Sequence, residues 1–573
     1  MTNQLRLLTI TVLMLVATHA WGQVSQPVSV DFETKIIYTD SLSLPMHINV
    51  GALLRLLPEL LQRPDGATLS NYEVQVDGVS IGESADAVLA VMQLSDIERL
   101  EVKNSPAASD LNGGMSGAIN LCMRSMASRE KGVTGKAALG FSTEWSTMGD
   151  CLIDYKKDDR LTVRGITFGE NSRVSDPVNM VVNESAEVET TESTRNQLAR
   201  AMVTYKPNQR NQLQLTLTES YNYVKQTYDV TESDNLSAEK VQSSFSERIR
   251  KTQLSARLNY ALRLSEAHSF GLSGQYGYKP VHIWDYDEQQ ERHDYYSSES
   301  VAEGAATLRG RWNLAGGKGS WSYSVGTKGA IKKTNKQVMP LAELTFLYGP
   351  LRLKVGAEYQ WNEVGINDWS GRVVLGWQIN RSNRVRLLAN RQVRLPDMIS
   401  QEVGTDFISN LRWNHHRLTM NAGVNYCKSR DLTPSTDTRY LNANLMAIYQ
   451  YRILLVSMTA NFYTHNEDHN SEDTFNYKTY CNLSLMPSLN LRSGWRTAMN
   501  LRYYSKVHLR DLEQGDCLSL QLNVGKTWGK WSVYAYGRAP LTGRTTNLDK
   551  HTNIVKSSYL VHRSVGCGVS LDF

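Results

Sequence analysis

The sequence predicts an all-β transmembrane antiparallel barrel of about 22 strands, preceded by a small α+β domain. Three observations carry this. From about residue 131 onward nearly every segment alternates apolar and polar residues. The turns between those segments are short on one side and long on the other. Residues 47–127 follow a different, mixed pattern.

The alternation comes first because it sets the faces. In LRLKVGAEYQW, Leu351, Leu353, Val355, Ala357, Tyr359 and Trp361 share one face. Arg352, Lys354, Glu358 and Gln360 share the other. LSLQLNV, with Leu518, Leu520, Leu522 and Val524, and LLVSMTANF, with Leu454, Val456, Met458, Ala460 and Phe462, repeat the pattern. Successive side chains of a strand point to opposite faces, so a period of two over about ten residues marks a membrane-crossing strand. The apolar face then meets lipid and the charged face meets the lumen. A charge turned into lipid at mid-bilayer would cost about 2–4 kcal/mol. In the run Leu213, Leu215, Leu217, Glu219, Tyr221, Tyr223 the carboxylate interrupts the apolar face, where the strand is expected to leave the bilayer.

The punctuation sets the count. Ten tight turns are expected, around Asp158, Asn208, Ser265, Gly317, Gly349, Ser382, His415, Arg452, Ser493 and Gly529. Longer polar loops are expected at 169–195, 225–250, 279–303 and 539–559. Ten hairpins with a first and a last strand make about 22, the size of the plugged large barrels. The chain ends on an alternating strand, Val565, Cys567, Val569, Leu571, Phe573, and a terminal aromatic such as Phe573 resembles the signal by which outer-membrane barrels are recognised for assembly.

Composition agrees. The 573 residues are 41% hydrophobic and 21% charged, with a mean hydropathy of −0.40. No run of about 20 apolar residues exists, which excludes a helical membrane protein but not a barrel. The 28 Tyr and 12 Trp against 10 Phe favour rings with a polar tip, suited to a lipid–water boundary. A net charge of +5, dispersed along the chain, gives no reason to expect nucleic acid. Arg6 followed by the apolar run Leu7 to Val16 and by Ala20-Trp21-Gly22 reads as a signal peptide over 1–22. The six Cys stand singly with no CxxC pair. Cys481 and Cys517 are the better of the poor disulfide candidates.

The remaining domains are a periplasmic tail over 23–46, a mixed domain over 47–127 and the barrel over 131–573. The mixed domain runs through LLRLLPEL, then QVDGV with its turn at Asp77-Gly78, IERLEV with Glu98, Arg99 and Glu101, NSPAASD with Pro106, and GGMSGAINL with Gly113, Gly114, Gly117 and Asn120. This order resembles the plug domain of TonB-dependent outer-membrane receptors. The NSPAASD phrase resembles the version found in the outer-membrane β-barrel proteins of Bacteroidota. RQVRLPDM, Arg391 to Met398, is similar to a mid-barrel segment of the same family. The glycines allow close backbone approach where plug meets wall. Glu98, Arg99 and Glu101 are expected to pair with lumen charges such as Arg352 or Lys354.

The resemblance implies ligand binding and uptake across the outer membrane of a Gram-negative bacterium, with outer-membrane lipid and TonB as partners. A TonB contact would lie at Pro27, Val28, Ser29 and Val30, adding a strand to TonB. Departures from the family leave a second expectation. No carboxypeptidase-like domain precedes the plug, and the TonB-box candidate is a generic β-prone stretch. The chain is then a non-transporting, structural subunit that holds a surface lipoprotein or another outer-membrane protein. A passive pore is a weaker third. HNEDHNSED, His465 to Asp473, and DYDEQQERHDYY, Asp285 to Tyr296, read as solvated external loops, with no metal or cofactor assigned. No phosphate loop, nucleophile elbow or HExxH is present, so no enzyme is expected.

Overall fold

A computed structural model describes residues 28–30, 34–39, 50, 72–80, 92, 94–103 and 117–124 of the N-terminal part. It also describes 132–573 apart from 144–145, 159, 176–178, 183–185, 234–239, 287–291, 315–318, 333–334, 364–366, 395–397, 433–434, 469–477, 492, 509–511, 543–544, 550–553 and 559–562. The expected signal peptide, the LLRLLPEL stretch, Pro27, Pro106, Gly113 and Gly114 lie outside the described residues.

From Gly132 the chain forms one antiparallel sheet of 27 strands. Five are short and belong to the long-loop side: Asn179–Val182, Val507–His508, Leu512–Gln514, Thr545–Asp549 and Ile554–Ser558. The other 22 close a barrel, because the last strand, Ser564–Asp572, pairs with the first, Gly132–Ser142. Closure removes every sheet edge within the bilayer, where an unpaired backbone group would be costly.

Burial is inverted relative to a soluble sheet, as the alternation requires. On Leu351–Asn362 the apolar Val355, Tyr359 and Trp361 are exposed outward, whereas Lys354 is only 2% exposed and faces inward. Exposed Trp312, Trp377, Trp413, Trp495, Trp528 and Trp531 lie close to the short turns. Trp361 and Trp369 lie at the opposite rim. These are the two aromatic belts that bracket the lipid-facing band.

All ten expected turns fall between consecutive strands. Gly317 itself lies outside the described residues, but the strands ending at Asn313 and starting at Gly319 flank it. The turn chemistry is local. The Asp158 carboxylate accepts the backbone N–H groups of Arg160 and Leu161, at 2.8 and 3.0 Å. Gly349 and Gly529 sit at φ +54° and +57°, where a side chain would strain the backbone.

The long connections differ from expectation. Much of 169–195, 225–250 and 279–303 is strand. Lys240–Arg263 alone runs 24 residues, about twice the 9–11 needed to cross a bilayer. The segment 539–559 also carries Thr545–Asp549 and Ile554–Ser558. Polarity reports that side chains are solvated; it does not say that the backbone stops pairing. The projecting arms are joined across the closure seam, where Asn179–Val182 pairs with Ile554–Ser558.

The N-terminal part forms a separate six-stranded sheet. Its strands are β1 (Val28–Val30), β2 (Thr34–Tyr38), β3 (Tyr72–Val76), β4 (Val79–Ser80), β5 (Ile97–Lys103) and β6 (Gly117–Met123), in spatial order β1-β2-β5-β6-β3-β4. Only β3 and β6 run parallel. Every residue of the central β6 is buried, so it lacks the alternation of the wall. Its apolar core is continuous with the barrel interior. Val74, Leu100, Ile119 and Leu121 belong to one cluster with Leu152, Ile166, Phe168 and Leu198 of the first wall strands. The same cluster takes in Ile408, Met446, Ile448, Leu455, Met486 and Ala498 of the later ones. The small sheet is thus a plug packed against two arcs of the wall.

Candidate functional site

The residues singled out in the plug sequence converge on one hydrogen-bonded chain. Asp77 and Gly78 both adopt positive φ, +50° and +77°, the geometry of a two-residue hairpin turn that favours Asp-Gly. The Gly78 N–H donates to Oδ1 of Asn120 at 2.7 Å. The Asn120 amide donates to Glu101 at 3.0 Å, and Arg99 donates to the other Glu101 oxygen at 2.9 Å. Glu98 lies 3.7 Å from Arg99. Asn120 therefore ties the β3–β4 turn to β5 through the central strand. Burial alone would raise the Glu101 carboxyl, but hydrogen bonds from Asn120 and Arg99 outweigh it and hold the group below its ordinary value of 4.5. Burial, followed by the Glu101 charge, pushes the neighbouring Cys122 thiol up to about 12, so it stays protonated and inert.

Two buried ion-pair clusters seat this sheet in the barrel. Asp77 uses one oxygen to accept the Met123 N–H and the other to accept Arg164 of the wall, at 3.0 and 2.8 Å. Arg164 also holds Asp154 of the wall at 2.7 and 3.2 Å. In the second cluster Lys136 of the wall meets Asp96 of the plug, with Asp150 at 3.5 Å. Lys136, Asp150, Asp154 and Arg164 all lie on the first three wall strands, Gly132–Ser142, Thr147–Lys156 and Leu161–Ser175.

This corrects the expected pairing. Glu98, Arg99 and Glu101 satisfy one another and Asn120 within the plug, and Lys354 pairs with Glu343 of its own wall at 3.2 Å. Wall contact falls instead to Asp77, at the hairpin tip, and to Asp96, at the entry to β5. Sequence reasoning missed the wall partners. Their signal was an acid or base on the lumen-facing parity, flanking the Asp158 turn for Asp154 and Arg164 and near the start of the first wall strand for Lys136.

Other expected residues are placed as follows. Gly117 opens β6 opposite Tyr72 and is buried. Val28, Ser29 and Val30 form β1, the edge strand of the plug sheet, paired with Lys35, Ile36 and Ile37 of β2. The Phe573 ring lies where a Cβ on Gly135 would sit, and the two residues exchange backbone hydrogen bonds of 3.0 and 2.9 Å. The terminal aromatic therefore buttresses the closure seam. None of the six cysteines is joined in a disulfide, Cys481 and Cys517 included. Among the described residues no acidic, His and Cys side chains gather as metal ligands; much of His465 to Asp473 lies outside them.

No protein-family model matches the sequence, and no curated protein matches it in sequence. Solved structures do match its fold. A variant of the ferric enterobactin receptor PfeA of Pseudomonas aeruginosa gives a TM-score of 0.67 at 11% identity, over 94% of this chain and 98% of that one. The siderophore receptor PirA of Acinetobacter baumannii gives 0.65 at 10%, over 94% and 98%. The outer membrane transporter YddB of Escherichia coli gives 0.66 at 11%, over 96% and 100%. At this identity the likeness is one of fold, and the chain has the fold of the TonB-dependent outer-membrane receptors: a closed 22-strand barrel around a small N-terminal sheet.

Proposed function

We propose that the chain is an outer-membrane importer of a Gram-negative bacterium, binding a ligand from outside and releasing it inward when TonB draws on the plug. The observation that carries this is the plug itself. It is a separately folded sheet inside a closed barrel, joined to the wall by side-chain contacts at Asp77–Arg164 and Asp96–Lys136 and by apolar packing. Such a seat can be released and remade, which a permanently filled barrel would not need. The edge strand β1, which includes Val28, Ser29 and Val30, is where TonB would add a strand. The likeness to siderophore receptors makes a ferric chelate one ligand class to try first.

The test is capture of TonB by tagged protein from native outer membranes, with and without residues 23–30. Capture that depends on 23–30 supports the importer. A stoichiometric lipoprotein or barrel partner that survives their deletion supports the second reading, a structural subunit. One feature favours that reading: the strand arms that project beyond the barrel, linked across the seam, offer an extended surface to another protein.

A further inference from the structure

Among the described residues, the plug makes no shared apolar cluster with one arc of the wall. The shared apolar cluster takes wall residues from 152–198 and from 408–498, and none of the described residues between them. In that interval lies a cavity of about 480 Å³ between the plug and the wall. The plug contributes Lys103, at the end of β5, and Thr34, at the start of β2. The wall contributes Arg309, Arg311, Arg352, Lys354 and Glu343, with serine and threonine hydroxyls between them.

Its position follows from the hairpins. Arg309 and Arg311 are within a few residues of the short connection after Asn313. Arg352 and Lys354 follow the turn at Gly349. Leu308 and Trp312 are exposed on the lipid side, so the alternation turns Arg309 and Arg311 inward. Short turns are periplasmic in this class of barrel, and the cavity is therefore at the periplasmic mouth.

Its charge is one-sided. Among the described residues, five cationic side chains line it against one carboxylate. That carboxylate, Glu343, is held within the wall by Lys354 at 3.2 Å and Arg372 at 3.7 Å. A concave site lined by one sign of charge focuses its field and concentrates counter-ions. Guanidinium groups match carboxylate and phosphate oxygens in paired hydrogen bonds.

We propose that this gap is an anion site on the periplasmic side of the plug, taking a solute with two or more phosphate or carboxylate charges as it leaves the barrel. The exit role rests on the importer reading; the site does not. A ligand held here meets the cations of plug and wall together, so plug movement changes its affinity.

The experiment is calorimetric titration of inorganic pyrophosphate into the full-length protein in detergent at low and moderate salt. One pyrophosphate should bind per barrel, more weakly as salt rises. The double substitution Arg309→Glu with Arg311→Glu should lower affinity roughly tenfold or more, since two charge-assisted contacts are lost. Arg309→Gln with Arg311→Gln should fall between, and Arg311→Lys should stay near the parent. Folding of each variant is checked by its heat-dependent shift in gel mobility. Equal affinity in the folded parent and the Glu or Gln variants overturns the proposal, as does no binding by the parent at low salt. Those outcomes leave TonB capture untouched, and loss of TonB capture with pyrophosphate binding intact removes only the exit role.

Discussion

The two sides of the plug are held by opposite physics. Toward the first wall strands it meets apolar side chains and two ion pairs, one buried and one part-buried. Toward the arc from His268 to Asn362 it faces a polar cavity whose described lining carries an excess of positive charge. A buried pair is costly to break, because the charge left behind has no solvent. An exposed guanidinium in a wet cavity loses little when removed. The difference makes one side an anchor and leaves the other a polar gap. Substitutions should separate them.

The largest effect is expected on the anchored side. Arg164 binds Asp77 and Asp154 together, so Arg164→Ala leaves the fully buried Asp154 and the part-buried Asp77 without their shared cation. Plug seating should weaken by about 3–5 kcal/mol. Hydrogen exchange at β3 and β6 amides should show it, with the lipid-facing wall unchanged. Arg311→Ala, on the cavity side, should move the same amides by no more than about 0.5 kcal/mol. Equal effects at the two positions would remove the distinction.

How much of this was legible in the sequence depends on whether the relevant order is local. The strands and the ten turns were, because lipid imposes a period of two and Asp158, Gly349 or Gly529 mark a reversal by their own chemistry. The Asp77-Gly78 turn was legible, and Glu101 and Asn120 stood out as motif residues, but their contact with each other was not. Their wall partners were not, because Arg164 meets Asp77 across 87 positions and several lumen charges are equally plausible candidates. Glu98, Arg99 and Glu101 were assigned to the wall, yet alternation along β5 and its register with β6 let Glu101 reach Arg99 and Asn120 instead. The projecting arms were misread for the opposite reason. A hydrated strand and a hydrated loop have the same polarity.

The apolar half of the anchor comes next. Leu121 is fully buried at the centre of the plug sheet. Leu121→Ala should destabilise it by about 2–5 kcal/mol, the range for a leucine removed from a packed core. Chemical denaturation followed at a plug probe would measure it. If the plug held only by its ion pairs, the loss would be far smaller.

A smaller effect is expected at Asn120. Its side chain accepts from Gly78 and donates to Glu101, and Asn120→Ala leaves a backbone N–H without its acceptor. A loss of about 1–3 kcal/mol is expected. It should appear as faster exchange at the Gly78 amide, with Arg164 still engaging Asp77. Loss of both would mean that the turn and the wall contact form as one unit.

The smallest effect is a pH dependence, and it asks whether the motif chain bears on seating at all. The Glu101 carboxyl is held below 4.5 in the folded plug by Asn120 and Arg99 against the opposing effect of burial. A group with a depressed folded value contributes stability that is fully present above its unfolded value. That contribution is lost as pH falls through the folded value, so the window lies below about pH 4.5. Exchange of the β5 and β6 amides should therefore accelerate on acidification in that window, beyond the intrinsic chemical rate. Glu101→Gln removes the titration while keeping an acceptor for Asn120, so its stability should be flatter over the same range. If parent and variant accelerate together, Glu101 does not carry the acid sensitivity, and the hydrogen-bonded chain from Gly78 to Arg99 has no part in seating the plug.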